Sequence, residues 1–447
     1  MTFSSKLKGA AIGALLGKTG DRAMRAIDRA RHTIARAPKR LDFYYDVADP
    51  WSHLAAQVTK RLVRAYPVEV AVHVVTPPAS DVAPAPDLRR RHALRDARDL
   101  AAHLDLEFPG KGDADPNAVK RASQILIKAR PALEQLDAAI AVGAAIWASD
   151  VKTLTSLMGS LGHDAAGSIA PILNAAYTEL RKLGFYQAAS WHWDGEWYSG
   201  IDRVAYLEAA LSASTGEAPP PVISRRAALP PERLGGIKSD KDEKPVLDFW
   251  FSFRSPYSYL AIERAAELAS RFPIELRVRP VLPLTMRGMH QPRVKQLYIV
   301  RDAAREAQRL GIDFGSICDP LGQGVEHAIA IAHAAGPRML DFVRSAMRGS
   351  WAEARDLASY VDLRAVTERA GIDWDAAKAA IAGTAWREWA KTAADDLALA
   401  GLWGVPCFKI GDYATWGQDR IDFLEDRLRR HFAAPAPAPE ATRSDSA

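Results

Sequence analysis

The sequence predicts an α/β protein in which one unit is written twice, and three observations carry that reading. Two apolar runs, "LDFYYDV" from Leu41 and "LDFWFSF" from Leu247, lead into the matching phrases "ADPWSHLA" and "RSPYSYLA", 206 residues apart. "RDARDLAAHLDLEFP" (95–109) aligns with "RDAAREAQRLGIDFG" (301–315) at the same offset. "YSGIDRVAYLEAAL" (198–211) aligns with "TWGQDRIDFLEDRL" (415–428) at an offset of 217, so the second copy carries eleven more residues. Three matches in one order at so long a period mean a tandem duplication rather than a solenoid.

Each copy reads alike. An apolar strand (41–45; 246–253) leads into a helix. A second strand follows, "VEVAVHVV" from Val68 and "IELRVRPV" from Ile274, rich in β-branched residues. A long Ala- and Leu-rich stretch (118–183; 325–400) reads as helical, and two short strands and a last helix close the unit. That order fits a thioredoxin-like α/β fold with an inserted helical subdomain. The expected boundaries are a basic helical arm at 1–40, a first domain at 41–211, a linker at 212–245, a second domain at 246–430 and a disordered tail at 431–447. The linker is rich in Pro, Gly and charge, and it lacks any period.

Composition narrows the class. With 48% apolar and 25% charged residues the chain reads as an ordinary soluble protein. A formal charge of +5 is modest for 447 residues and does not call for a nucleic-acid partner. Two cysteines, Cys318 and Cys407, exclude a disulfide framework and suit a reducing, cytoplasmic setting. The 11 His and 2 Cys show no metal-ligand spacing, and no phosphate-binding glycine motif is present. The first 40 residues hold ten Lys/Arg against two Asp. Met24, Ile27 and Ile34 lie at roughly helical spacing there, which reads either as a solvated arm or as a helix making weak contact with an anionic membrane surface.

The repeated phrase opens a helix. Ser255-Pro256 and Asp49-Pro50 both place a capping residue before a proline at the first helical position. A hydroxyl there sits among orphan N–H groups at the positive end of the helix dipole, where an anion such as a thiolate is favoured. Asp49 keeps the cap but brings a negative charge that repels a thiolate. In the second copy "LWGVPCFKI" adds Val405-Pro406, where a cis bond is expected before a strand. "WGQDR" then adds Gln418 and Asp419 at the start of the last helix. Cys407 reads as a buried, inert thiol.

Taken together, "DFWFSFRSPYSYLA", "RPVLP", "KQLYIVRDAAREAQRLGI", "GVPCF" and "WGQDR" span most of the second half. In this order they resemble the 2-hydroxychromene-2-carboxylate isomerase family, close to the kappa-class glutathione transferases and more distantly to DsbA. The resemblance implies two DsbA-like thioredoxin domains and bound glutathione. It implies that Ser255 hydrogen-bonds the glutathione sulfur, that Val405 beside Pro406 pairs with the tripeptide backbone, and that Gln418 and Asp419 hold its glutamyl end. It places Lys295, Tyr298 and Tyr257 on the substrate side. One departure is the loop "MRGMHQPRVK", which lacks the family's Asn and offers His290 or Gln291 instead.

The implied activity is a glutathione-dependent isomerisation or transfer on a conjugated, aromatic-derived small molecule, with glutathione as a borrowed nucleophile. A DsbA-like redox activity is excluded, because Ser255-Pro256-Tyr257-Ser258 stands where Cys-x-x-Cys would have to be. A non-catalytic binding module remains the other reading. The first half lacks the serine and the Val-Pro pair, and it reads "SGIDR" for "WGQDR", with Ile201 in place of the glutamine. It is expected to be a degenerate copy that packs on the second half as an internal pseudo-dimer.

Overall fold

The computed structural model describes residues 39–224 and 244–432; the basic arm up to residue 38, the central stretch 225–243 and the tail from 433 lie outside the described residues. In the first half β1 (Arg40–Tyr45) runs parallel to β2 (Glu69–Val74) and antiparallel to β3 (Ser190–Trp193), which turns back as β4 (Glu196–Ser199). The second half repeats this with β5 (Val246–Phe251), β6 (Glu275–Pro280), β7 (Cys407–Ile410) and β8 (Tyr413–Trp416). The strand orders, β2-β1-β3-β4 and β6-β5-β7-β8, are the same. So is the register. Phe43 faces Trp191 across the first sheet and Phe249 faces Phe408 across the second, each pair stacked, at 5.7 and 5.1 Å. Two sheets of one topology and one register establish the duplication.

The crossover helices are α1 (Pro50–Ala65) and, in the second half, α8 (Pro256–Arg271). The first helical insertion comprises α2 (Pro86–His103), α3 (Pro116–Leu126), α4 (Ala132–Trp147), α5 (Val151–Leu161) and α6 (Ile169–Lys182), and α7 (Val204–Thr215) closes that half. The second insertion runs through α9 (Arg293–Leu310), α10 (Gln323–Ala334), α11 (Met339–Ala352), α12 (Tyr360–Arg369), α13 (Trp374–Ala382) and α14 (Ala385–Leu399), and α15 (Ile421–His431) ends it. No helix among the described residues is long and apolar enough to cross a membrane.

Two boundaries differ from expectation. β5 ends at Phe251 rather than Phe253, because residues 252–255 turn to present the helix cap. Helix α7 runs to Thr215, four residues into the stretch read as linker, and Gly216 ends it at φ +79. Beyond it Val222 stays on the first half, donating its N–H to Glu208 at 2.9 Å.

The central strand of each sheet, β1 or β5, is covered on both faces, which is why it is apolar almost throughout. In the first half Leu41, Phe43 and Tyr45 point into the main core, while Tyr44 points to the opposite face with Phe185, Tyr186 and Trp197. Val294 and Tyr298 of the second half pack on that opposite face. In return Phe423 of α15 is buried in the first half's core and stacks on His103 at 3.8 Å.

Candidate functional site

Ser255 caps α8 as expected. Its Oγ accepts the Ser258 N–H at 3.1 Å, and Pro256 takes the first helical position. The hydroxyl proton faces the Val405 carbonyl at 3.5 Å, a contact long enough to be given up readily. The half-buried Ser255 hydroxyl therefore stands at a helix N-terminus with a proton to offer an incoming anion. The Val405-Pro406 bond is cis. Among the described residues the Val405 N–H makes no hydrogen bond, so its backbone edge is open beside the serine. Cys407 is fully buried, its Sγ donates to the Gly404 carbonyl at 3.0 Å, and burial holds its thiol well above the ordinary range.

The second cluster forms around the turn at Gly417 (φ +108). Gln418 is buried, and its amide is committed: Nε2 donates to Glu306 at 2.9 Å and to Asp419, and Oε1 accepts from Arg264 at 2.8 Å. The side chain read as a ligand group thus serves the protein, and the Gln418 carbonyl also accepts from Arg264 at 2.8 Å. Asp419 is held by Arg203 of the first half, Nη1 to Oδ1 at 3.0 Å. Burial pushes the Asp419 carboxyl up to about 6, with Asp202 and Glu306 adding to the rise and Arg203 opposing it.

Of the residues expected on the substrate side, Tyr298 and Lys295 reach across to the first half, and Tyr257 stays within the second half beside Asp302. The Tyr257 hydroxyl donates to Asp302 at 2.7 Å. The Tyr298 hydroxyl accepts the Ser199 N–H at 3.2 Å, with the ring edge-on to Phe185 at 5.0 Å. Burial, reinforced by the Asp302 charge, holds both phenols well above their usual range. Lys295 reaches across to the Val82 carbonyl at 2.7 Å, over the Tyr186 ring. Burial and the nearby Arg89 lower its ammonium to about 8. His290 is exposed, and Gln291 turns back onto the His290 carbonyl.

A family model described as a DsbA-like thioredoxin domain matches residues 246–429. The match takes in nearly all of the described second half. The 2-hydroxychromene-2-carboxylate isomerase of Sphingobium xenophagum is 27% identical over 196 residues, covering 41% of this chain and 97% of the relative. The enzyme of the same name from Pseudomonas putida is 29% identical over 199 residues, covering 41% of this chain and 95% of the relative. A solved 2-hydroxychromene-2-carboxylate isomerase structure shares 26% identity, covering 41% of this chain and 95% of that one, with a TM-score of 0.37. One DsbA-like domain thus spans nearly the whole length of such relatives, and this chain carries a further copy of the fold in front of it.

What sequence reasoning missed is how that copy grips the DsbA-like domain. Arg203 donates to Asp302 through Nε and Nη2 at 2.7–2.9 Å and also reaches Asp419. Arg420 donates to Asp96 and, at 2.8 Å, to Asp202. These are the same positions in the two copies, exchanged across the seam. The signal was present in the sequence: "RD" at 95–96 and 301–302 and "DR" at 202–203 and 419–420 survive in both halves, although the first lost the letters of the site.

The place of Ser255 is taken in the first half by Asp49. Its Oδ2 caps α1 by accepting the Ser52 N–H at 3.1 Å, while its Oδ1 is buried without a hydrogen-bond partner and Arg89 stands 3.8 Å away. Ser252 of the DsbA-like domain is likewise replaced by Asp46, and two carboxylates lie buried together. Burial and the Asp49 charge push Asp46 up to about 7. Such a pocket disfavours a thiolate.

Proposed function

We propose that the second half is a glutathione-dependent isomerase, acting on a conjugated, aromatic-derived small molecule related to the substrate named for its relatives. The observation that carries this reading is the Ser255 hydroxyl, placed at a helix N-terminus beside the open Val405 backbone. The residues fit glutathione along its length. Ser255 would face the sulfur, and Val405, next to Pro406, would pair with the peptide backbone. The Gln418 and Asp419 N–H groups would take the glutamyl carboxylate and the Asp419 side chain its ammonium. Bound glutathione would supply the thiolate nucleophile that adds reversibly to the substrate. The protein's part is to hold that charge: the hydroxyl donates to the sulfur, and the dipole of α8 favours the anion. Transfer would need the same groups and differ only in the fate of the adduct.

The first half is proposed to bind no glutathione, because Asp49 and Asp46 stand where the hydroxyls would be. The reciprocal Arg203 and Arg420 exchange supports reading the halves as an internal pseudo-dimer. The test is turnover of 2-hydroxychromene-2-carboxylate by the full chain, with and without glutathione, alongside calorimetry. Glutathione-dependent loss of the substrate spectrum is expected. Turnover that ignores glutathione, or no binding at millimolar concentration, would overturn the reading.

A further inference from the structure

We infer that Arg203, supplied by the first half, is a positioning residue for the glutamyl-ammonium subsite of the second half, acting through Asp419. The inference rests on the glutathione reading above.

Arg203 lies in the turn before α7 and is 5% exposed at its side chain. Three carboxylates converge on it. Asp302 and Glu306 are closed to solvent, at 2% and 1%, but 22% of the Asp419 side chain is exposed, so Asp419 alone can meet a ligand. The three also differ in what else holds them. Asp302 has Arg305 at 3.2 Å and the Tyr257 hydroxyl at 2.7 Å. Glu306 has Arg309 at 2.7 Å, the Tyr206 hydroxyl at 2.6 Å and the Gln418 amide. Asp419 takes one contact from the neighbouring Gln418 amide, and Arg203 is its ion-pair partner. Removing the guanidinium fork would therefore fall mainly on Asp419. The other two would keep their arginines.

A guanidinium can bond Asp302 through one edge and Asp419 through another, whereas an ammonium is a single point charge. In Arg203→Lys the charge would remain but the fork would not, and the closed Asp302 would keep the lysine. Asp419 would then lose the bonds that fix its direction and its ionised state. An ammonium partner would bind it less well, while a ligand without the glutamyl residue would be unaffected.

The experiment is calorimetry on the full chain with glutathione and with the dipeptide Cys-Gly, which lacks the glutamyl end. The parent is expected to prefer glutathione. Arg203→Lys is expected to weaken glutathione about tenfold, the loss of one charge-assisted contact, and to leave Cys-Gly unchanged, as well as kcat at saturating glutathione. If Arg203→Lys does not fold, the double variant Arg203→Gln with Asp302→Asn removes one charge of each sign and should show the same loss of preference. A variant that retains the parent's preference, or that weakens both ligands equally, would overturn the inference and leave the glutathione reading standing. A parent that binds Cys-Gly as tightly as glutathione would overturn it too, and a parent that binds neither would overturn both.

Discussion

Asp96 and Arg420 are 324 residues apart in the chain and joined by two hydrogen bonds, Nε to Oδ1 and Nη2 to Oδ2, the longer at 2.9 Å. Both side chains are buried, and Trp51 donates to the same carboxylate at 2.8 Å. The pair locks α2 of the first half to the start of α15 in the second. Removing Asp96 leaves the buried Arg420 with Asp202 as its remaining carboxylate, at 2.8 Å. Asp96→Asn is expected to cost about 2–3 kcal/mol in urea unfolding of the full chain, less than the roughly 3–5 kcal/mol of a buried pair broken outright. The double variant Asp96→Leu with Arg420→Met is expected to recover most of that. A loss under about 1 kcal/mol in the single variant would show that the pair does not hold the halves together.

The buried carboxylates of the first half make the next expectation. Asp46 is raised from 3.8 to about 7 by burial and by Asp49. Between those values the folded chain binds more protons than the unfolded one, so this group costs stability as pH rises toward 7. Asp46→Asn retains an acceptor for the Ala48 N–H, which now lies at 2.9 Å from Oδ1. It is expected to stabilise the chain by about 1–2 kcal/mol at pH 8, a fraction of the roughly 1.4 kcal/mol per pK unit available. The gain should shrink on acidification and vanish near pH 4. A gain that persists at pH 4 would contradict this account.

His92 moves stability the other way. It is buried among Trp51, Trp403 and Trp416, and burial lowers it from 6.5 to about 4 despite the Asp96 charge. The unfolded chain takes up this proton below pH 6.5 while the folded chain resists until about 4, so stability falls as pH drops through that window. His92→Phe keeps an aromatic ring in place. It is expected to remove one proton's share, up to about 1.4 kcal/mol per pH unit, from the acid limb of the stability profile. An unchanged slope between pH 6.5 and 4 would contradict the assignment.

How much of this was legible in the sequence follows from which kind of signal each feature leaves. The strands, including the two short ones that close each unit, and the caps at Asp49 and Ser255 were legible, because period, proline and N-cap chemistry are local. The cis Val405-Pro406 bond was legible for the same reason. The contacts of Tyr298 and Lys295 with Ser199 and Val82 were not legible because they depend on how one half lies against the other, and that of Tyr257 with Asp302 because it joins two helices 45 residues apart in one half. The commitment of Gln418 was hidden likewise, since Glu306 and Arg264 meet it only in the folded chain. The repeated Arg and Asp letters were visible, but a repeat shows only that a residue is retained, not that it crosses to the other copy.

The most direct measurement concerns Ser255 itself. Ser255→Ala should cost a cap, about 0.5–2 kcal/mol, and should raise the thiol pKa of bound glutathione by about one to two units as a charge-assisted bond is lost. Ser255→Asp separates cap from chemistry, because Asp49 already shows that an aspartate caps the equivalent helix. Ultraviolet absorbance of the bound thiolate, titrated against pH in the parent and in Ser255→Asp, decides the matter. The expected result is an unchanged melting temperature with the thiolate band lost at neutral pH. A variant that ionises bound glutathione as the parent does would show that Ser255 is a cap and nothing more.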